Sequence, residues 1–328
     1  MRKIDRKDAR LLMGGWYQTM ILEHRVTAEE DGAALLHVLR RGMGLSAAAV
    51  RALKAHGGLH VDGAVQFTNY LVKAGALVTA DVTRAERDGD NVPEIGPLEV
   101  LWEDEGLIAV NKPPGLIVHP SRAKNDGTLA NFVAGYLQAG GQRPICHVVN
   151  RLDRDTSGVV LFAKNAHMKA RATGALRTGK KRYTALVTGV LDPPDGVIDL
   201  PIRRFQAKDM RRIVAEDGKQ AATRYRTVAV GALAGQVCSV LELTLETGRT
   251  HQIRVHCLEV GVPLIGDPLY RTEWSAALSA DLGVGRQLLH SHYLAFRHPV
   301  SGEPVTIDAP IRDEVFWALL EKLEEKTL

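Results

Sequence analysis

The sequence predicts an α+β protein in which a small unit precedes a larger one. Three observations carry this. After residue 98 the chain is rich in short alternating or β-branched runs, among them VVLFAK (159–164), YTALVTGVL (183–191), TRYRTVAV (223–230) and LLHSHYLAFRHP (288–299). These runs seldom alternate with helical patterns in the way a parallel βαβ fold requires. The helical patterns are few and amphipathic; in IRDEVFWALLEKLEEK, near the C-terminus, Phe316, Leu319, Leu320 and Leu323 share one face. The 328 residues, 45% hydrophobic and 24% charged, suffice for two domains with at least one large core.

Taken in order, residues 1–27 are charged and irregular and read as an N-terminal extension. Residues 28–85 read as a compact unit. AALLHVLRRGMG predicts a short helix with Leu35, Leu36 and Leu39 inward and Arg40 and Arg41 at its C-terminal end, where cations suit the helix dipole. Ser46 caps a second helix, AAAVRALKAHGG, which carries Arg51 and stops at Gly57 and Gly58. LHVDGAVQ is a hairpin turning at Asp62-Gly63, and ALVTADV is a closing strand. ERDGDNVPEIGP (86–97) is polar, with Gly and Pro, and reads as a linker.

The larger unit, 98–328, opens with LEVLWEDEGLIAVNKPPGLIVHPS: two strands, a Pro-Pro-Gly break and a third strand. Lys112 sits at the stiff break, placed to aim a cation at a phosphate; a solvated lysine is the plainer alternative. DGTLANFVAGYL (126–137) is a helix capped by Asp126 or Thr128. HVVNRLDRDTSG (147–158) sets Asp153 between Arg151 and Arg154 in a loop just before a buried strand. Residues 164–182 carry seven basic residues and no acidic one, Lys180 and Lys181 among them, and are expected to form a basic helix. RRFQAKDMRR, with Arg203, Arg204, Arg211 and Arg212, reads as an exposed basic loop. Two basic segments in a chain of net charge +4 concentrate positive potential, the footprint of a polyanionic partner. In TGRTHQIRVH, Thr250 is expected to cap a helix from which Arg254 reaches a buried carboxylate.

Several function classes are excluded. No apolar run is long enough to span a bilayer. The basic N-terminus lacks a signal-peptide core, and three scattered cysteines suit neither a disulfide framework nor a zinc site, so a cytoplasmic location is expected. There is no glycine-rich phosphate loop, and none of the twelve histidines sits in a metal-ligand pattern, so neither metal nor cofactor is expected. Cys146 and His147 are adjacent, which on a strand sends them to opposite faces. One carboxylate among arginines, Asp153, remains. It suits attack at a sugar carbon or removal of a proton. On a nucleic acid such chemistry requires the base to leave its stack and pack on an aromatic or arginine side chain.

NRLDRDTSG, KKRYTALVTG, TGRTHQIRVH, GDPLY and LLHSHYLAF occur in that order, after NKPPGLIVHPS. The set resembles the RluA-type pseudouridine synthase family over roughly residues 98–310. The unit at 28–85 resembles an S4-like RNA-binding domain, which points Arg40, Arg41 and Arg51 toward RNA. The resemblance implies a mixed, mostly antiparallel sheet with packed helices. It also implies a site. Asp153 is the catalytic carboxylate, Arg254 pairs with it, and Tyr183 stacks on the target base. Arg151 fills the gap left by the flipped base, and Leu289 packs under it. The sequence departs from the family at Asn150, usually His, and at Arg271, usually Gly. The expected substrate is structured RNA, ribosomal large-subunit RNA first and transfer RNA second, for a monomer with no obligate protein partner. The rivals are an RNA-binding or ribosome-assembly factor without turnover and a glycoside-cleaving hydrolase, which lacks its second carboxylate here.

Overall fold

A computed structural model describes residues 11–12, 21–82, 91–120, 125–207 and 209–324. The N-terminal part is a five-stranded antiparallel sheet of β1 (Leu11–Leu12), β2 (Ile21–Arg25), β3 (Leu59–Val61), β4 (Ala64–Val65) and β5 (Leu77–Asp81), ordered β1-β2-β5-β3-β4. It is accompanied by α1 (Leu35–His37), which runs on into a wider π turn at Val38–Gly42, and by α2 (Ala47–Ala55). Local chemistry explains the joints. The Ser46 hydroxyl accepts from the Ala49 N–H, and Asp62 and Gly63 both take the positive φ that a two-residue hairpin turn demands. Alternation buries Leu22, Leu59, Val61, Val78 and Ala80 beneath Leu35, Leu39 and Leu53. One expectation changes: residues 21–25 do not belong to an irregular extension. β2 pairs along its whole length with β5 and is interior to the sheet.

The larger part is one ten-stranded sheet. Its strands are β6 (Glu99–Glu103), β7 (Leu107–Lys112), β8 (His147–Val148), β9 (Ser157–Ala163), β10 (Lys180–Thr188), β11 (Asp195–Asp199), β14 (Ala222–Leu233), β15 (Gln236–Leu245), β16 (Leu289–Arg297) and β17 (Pro304–Asp308). The main order is β11-β14-β15-β10-β16-β9-β7-β6, with β17 on β16 and β8 on β9. A separate ribbon pairs β12 (Ile202–Arg204) with β13 (Arg212–Val214). Among the described residues of the large sheet only β16 and β9 pair in parallel, so the sheet is mixed and mostly antiparallel, as expected. Their close approach needs Gly158: at φ 111° a Cβ there would lie 2.2 Å from the Ser291 carbonyl oxygen.

β9 is buried at all seven positions because both its faces are covered. Val160 and Phe162 pack on α3 (Leu129–Ala139), while Val159 and Leu161 share a core with Met168 and Ala172 of α4 (Ala166–Ala175). The other half of the sheet is covered by α5 (Gln252–Glu259), α6 (Glu273–Asp281) and α7 (Glu314–Glu324). Phe316, Leu319, Leu320 and Leu323 of α7 are all buried, worth about 1.5–3 kcal/mol each on transfer. Among the described residues no helix is long and apolar enough to cross a membrane.

Five further expectations are corrected. Of the linker expected at 86–97, residues 86–90 lie outside the described residues and 91–97 are docked on α3: the Asn131 side-chain amide donates to the Val92 carbonyl, its main-chain carbonyl accepts from the Glu94 N–H at 3.1 Å, and a Cβ on Gly135 would meet the Glu94 carbonyl oxygen at 2.1 Å. After the Pro-Pro-Gly break no third strand forms among the described residues, 116–120. The basic stretch 164–182 is helical only to Ala175, and Lys180 and Lys181 lie on β10. The basic loop at 203–212 is the β12–β13 ribbon, whose tip is braced by Arg211 on Asp209 and over the Phe205 ring. Thr250 does not cap α5: His251 takes that position in a left-handed conformation.

Candidate active site

A cleft of about 450 Å³ opens between the loop 149–156, the end of α4, β10 and the N-terminus of α5. Each wall has a local reason. Asn150 fastens the first loop to β9 like a backbone mimic: its amide donates to the Val159 carbonyl and its oxygen accepts from the Leu161 N–H, at 3.1 and 2.7 Å. That dual role accounts for an asparagine ahead of Arg-Leu-Asp. Gln252 fastens the second. It accepts from the Thr247 hydroxyl and the Arg249 N–H and donates to the Ala222 carbonyl and Thr223 hydroxyl. The α5 start is thereby pinned to β14.

Asp153 stands in this cleft with its side chain 27% exposed. Arg254 Nη1 donates to its Oδ2 at 3.0 Å. The same guanidinium is clamped from behind by Asp267, with Nε to Oδ2 at 2.6 Å and Nη2 to Oδ1 at 2.8 Å. Asp267 is wholly buried and also accepts from the Leu269 and Tyr270 N–H groups. Burial opposes the Arg254 charge, but the two aspartates more than offset it and hold its pKa above the ordinary value. The Tyr270 ring lies under the guanidinium, 5.0 Å from its centroid. His251 brings Nε2 to 3.8 Å from the other Asp153 oxygen, Oδ1.

The structure gathers Arg151, Asp153, Tyr183, Arg254 and Leu289 around this cleft. Arg151 is exposed at the rim, and Tyr183 and Leu289 are buried in the wall. Burial pushes the Tyr183 phenol up to about 12, against a hydrogen bond with Ser291. The tyrosine therefore stays neutral, an apolar face with a satisfied hydroxyl. Arg177, Lys181 and Arg249 add positive charge to the rim, and exposed Lys180 adjoins Lys181 on β10. Lys112 is not brought here. It is fully buried, and its ammonium donates to the carbonyls of Pro113, Leu116 and Arg154 at 2.7–2.9 Å. It braces the Pro-Pro-Gly turn against the loop that carries Asp153. Arg203, Arg204, Arg211 and Arg212 sit on the ribbon, which meets the site through the Arg212 N–H on the Tyr270 hydroxyl at 2.7 Å. Arg40, Arg41 and Arg51 are exposed on the N-terminal unit.

Asp267, Tyr270 and His251 were not anticipated. The demand of an arginine for a buried counter-charge pointed to a second acid, and GDPLY held one; nothing in the sequence signalled His251 as a neighbour of Asp153.

Residues 106–259 match the RNA pseudouridylate synthase family. The chain is 38% identical to ribosomal large subunit pseudouridine synthase D of Nitrosomonas europaea over 267 residues, which is 80% of this chain and 76% of that protein. It is 35% identical to the uncharacterised RNA pseudouridine synthase YhcT of Bacillus subtilis, over 88% of this chain and 93% of that one. Among solved structures, human RNA pseudouridylate synthase domain containing 1 superposes with a TM-score of 0.53 at 26% identity, covering 66% of this chain and 86% of that chain. The chain belongs to the RNA pseudouridine synthase family. It is an isomerase that acts on RNA.

Proposed function

We propose that the protein converts specific uridines of large-subunit ribosomal RNA to pseudouridine, with Asp153 as the reacting carboxylate. The observation that carries this is a partly exposed carboxylate on a cleft wall, facing a guanidinium that is itself immobilised. Isomerisation breaks the bond from C1′ to N1 and forms one from C1′ to C5, while C5 loses a proton and N1 gains one. Atoms balance within the nucleotide, so no external electron carrier is required. A carboxylate serves such a reaction as nucleophile at the sugar or as base beside it. In either role a clamped Arg254 keeps it aimed, so little reorganisation is needed at the moment of reaction.

The remaining residues fit one pose. A flipped uracil is accommodated between the Tyr183 ring and Leu289, with Arg151 at the rim reaching into the gap it leaves in the RNA. Arg177, Lys180, Lys181 and the ribbon arginines Arg203, Arg204, Arg211 and Arg212 face the phosphate backbone. The N-terminal unit acts as an S4-like RNA-binding domain through Arg40, Arg41 and Arg51. The ribosomal target is supported by relatives named ribosomal large subunit pseudouridine synthase D in Nitrosomonas europaea and Pseudomonas aeruginosa.

The test is a pseudouridine map of ribosomal and transfer RNA from cells lacking the protein, rescued with wild type or Asp153→Asn. Large-subunit sites that vanish, return with wild type and stay absent with the variant are expected. Sites lost only from transfer RNA would replace the target and keep the chemistry. Rescue by Asp153→Asn would remove Asp153 from the reaction.

A further inference from the structure

The Asp153 carboxylate is held firmly on one oxygen only. Arg254 meets Oδ2, while Oδ1 has His251 Nε2 at 3.8 Å, too long for a direct hydrogen bond. A carboxylate with one anchored oxygen still swings about its terminal torsion, which has broad minima. What stands opposite Oδ1 therefore decides whether the group has one orientation or several.

His251 is prepared for that position. Its backbone is left-handed, φ 57° and ψ 19°, immediately before α5, and its side chain is 8% exposed. Nδ1 lies 2.8 Å from the Tyr270 hydroxyl. That hydroxyl already accepts the Arg212 N–H of the basic ribbon at 2.7 Å, so its own hydrogen is free to go to Nδ1. Burial lowers the His251 pKa and favours the neutral ring. A neutral imidazole that accepts at Nδ1 carries its hydrogen on Nε2, the nitrogen that faces Asp153. The order of hydrogen bonds thus runs from the ribbon backbone, through Tyr270, to a donor aimed at Oδ1.

We propose that His251 is a positioning residue for this reaction: its Nε2–H, fixed in that tautomer by the Tyr270 hydroxyl and the ribbon strand β13, closes on Asp153 Oδ1 when RNA binds and sets the plane of the carboxylate. This rests on Asp153 being the reacting group. The gap shortens on binding as loosely made contacts in free enzymes do. Because the anchor of Tyr270 is a main-chain N–H of the ribbon, a ribbon seated on RNA and a correctly aimed carboxylate become one arrangement.

The test uses the full-length protein and a transcript of the modified region, with single-turnover rates at saturating enzyme, RNA affinity by filter binding, and melting temperature. His251→Asn suits the left-handed backbone and keeps an acceptor near Nδ1, but has no donor at the Nε2 position. His251→Gln sits less easily at positive φ yet carries an N–H farther out. The expected result is opposite orders. Asn is the more stable variant and loses about 10- to 100-fold in rate, the scale of a misaimed reacting group; Gln is less stable and faster, and both bind RNA as wild type does. Tyr270→Phe is expected to slow the wild type but to add little in the His251→Asn background. A wild-type rate for His251→Asn, rates that follow melting temperature, or an additive double variant would overturn the proposal. Asp153→Asn in the same assay separates the two levels: if it turns over normally, the assignment of Asp153 itself fails.

Discussion

Asp153 and Asp267 bind the same guanidinium from opposite sides, yet their surroundings make them different chemical objects. Asp267 is wholly buried and accepts four hydrogen bonds, two from Arg254 and two from the backbone of its own loop. Asp153 is about a quarter exposed, accepts one from Arg254, and opens onto the cleft. A carboxylate that accepts four hydrogen bonds in a dry site is a structural anchor, because removing it leaves Nε and Nη2 of Arg254 and two backbone N–H groups without their acceptor. One with lone pairs facing a cleft is available for reaction. The pair therefore teaches that residue type and partner do not decide a role here; the count of donors and access to the cleft do.

That contrast has a large consequence for turnover. Asp153→Asn is expected to lower pseudouridine formation by about 10³-fold or more while changing unfolding free energy by no more than about 1 kcal/mol, as for a partly exposed ion pair. Asp267→Asn should reverse the emphasis: removing one partner of a buried pair costs about 3–5 kcal/mol in urea unfolding, and turnover falls because Arg254 is released. If Asp267→Asn were as stable as wild type, the anchor reading would be wrong.

Lys112 sharpens the comparison, since in its protonated form it too is a buried charge with every hydrogen used. Lys112→Met leaves three carbonyls without their donor and is expected to cost about 1–3 kcal/mol. Burial pushes the Lys112 amine down to about 7 from the ordinary 10.5. Between those values the unfolded chain holds the proton more tightly than the folded one, so stability rises with pH across that window. The stability gap between wild type and Lys112→Met should accordingly widen from pH 7 toward 10.5, which urea unfolding at several pH values measures. The smallest effect is expected for Asn150→Ala, about 1–2 kcal/mol, as the Val159 carbonyl and Leu161 N–H lose their side-chain partner. Hydrogen exchange at Leu161 should report it directly.

Much of the fold was legible because its signals are local. Ser46 caps the helix it was expected to cap, Thr128 is the one of the two expected candidates that caps α3, Asp62-Gly63 turns its hairpin, and the apolar stripe of α7 faces inward. The strand runs at 183–191, 223–230 and 288–299 all fall in the large sheet. What failed was also local in kind. A run of lysines and arginines has no period that tells the end of α4 from the start of β10, and the ribbon at 202–214 has strands too short for alternation to show. Asp153 and Arg254 stood out by residue type, Tyr183 and Leu289 were placed by their motifs, and the cleft brings the four together. Lys112 was misread because nothing in a strand-end lysine tells whether carbonyls from two other loop positions close over it.

By itself the sequence determined the α+β class, the turns and caps and the helix faces, since each depends on neighbours within a few positions. The tertiary structure alone decided that Arg254 meets Asp153 across 101 residues, that Asp267 stands behind it, that Lys112 is sealed inside, and that His251 faces the free oxygen of Asp153. Those are contacts between loops, a strand end and helix α5 that only the fold brings together. Their energies depend on desolvation and on angles between elements, and neither is written in any short stretch of chain.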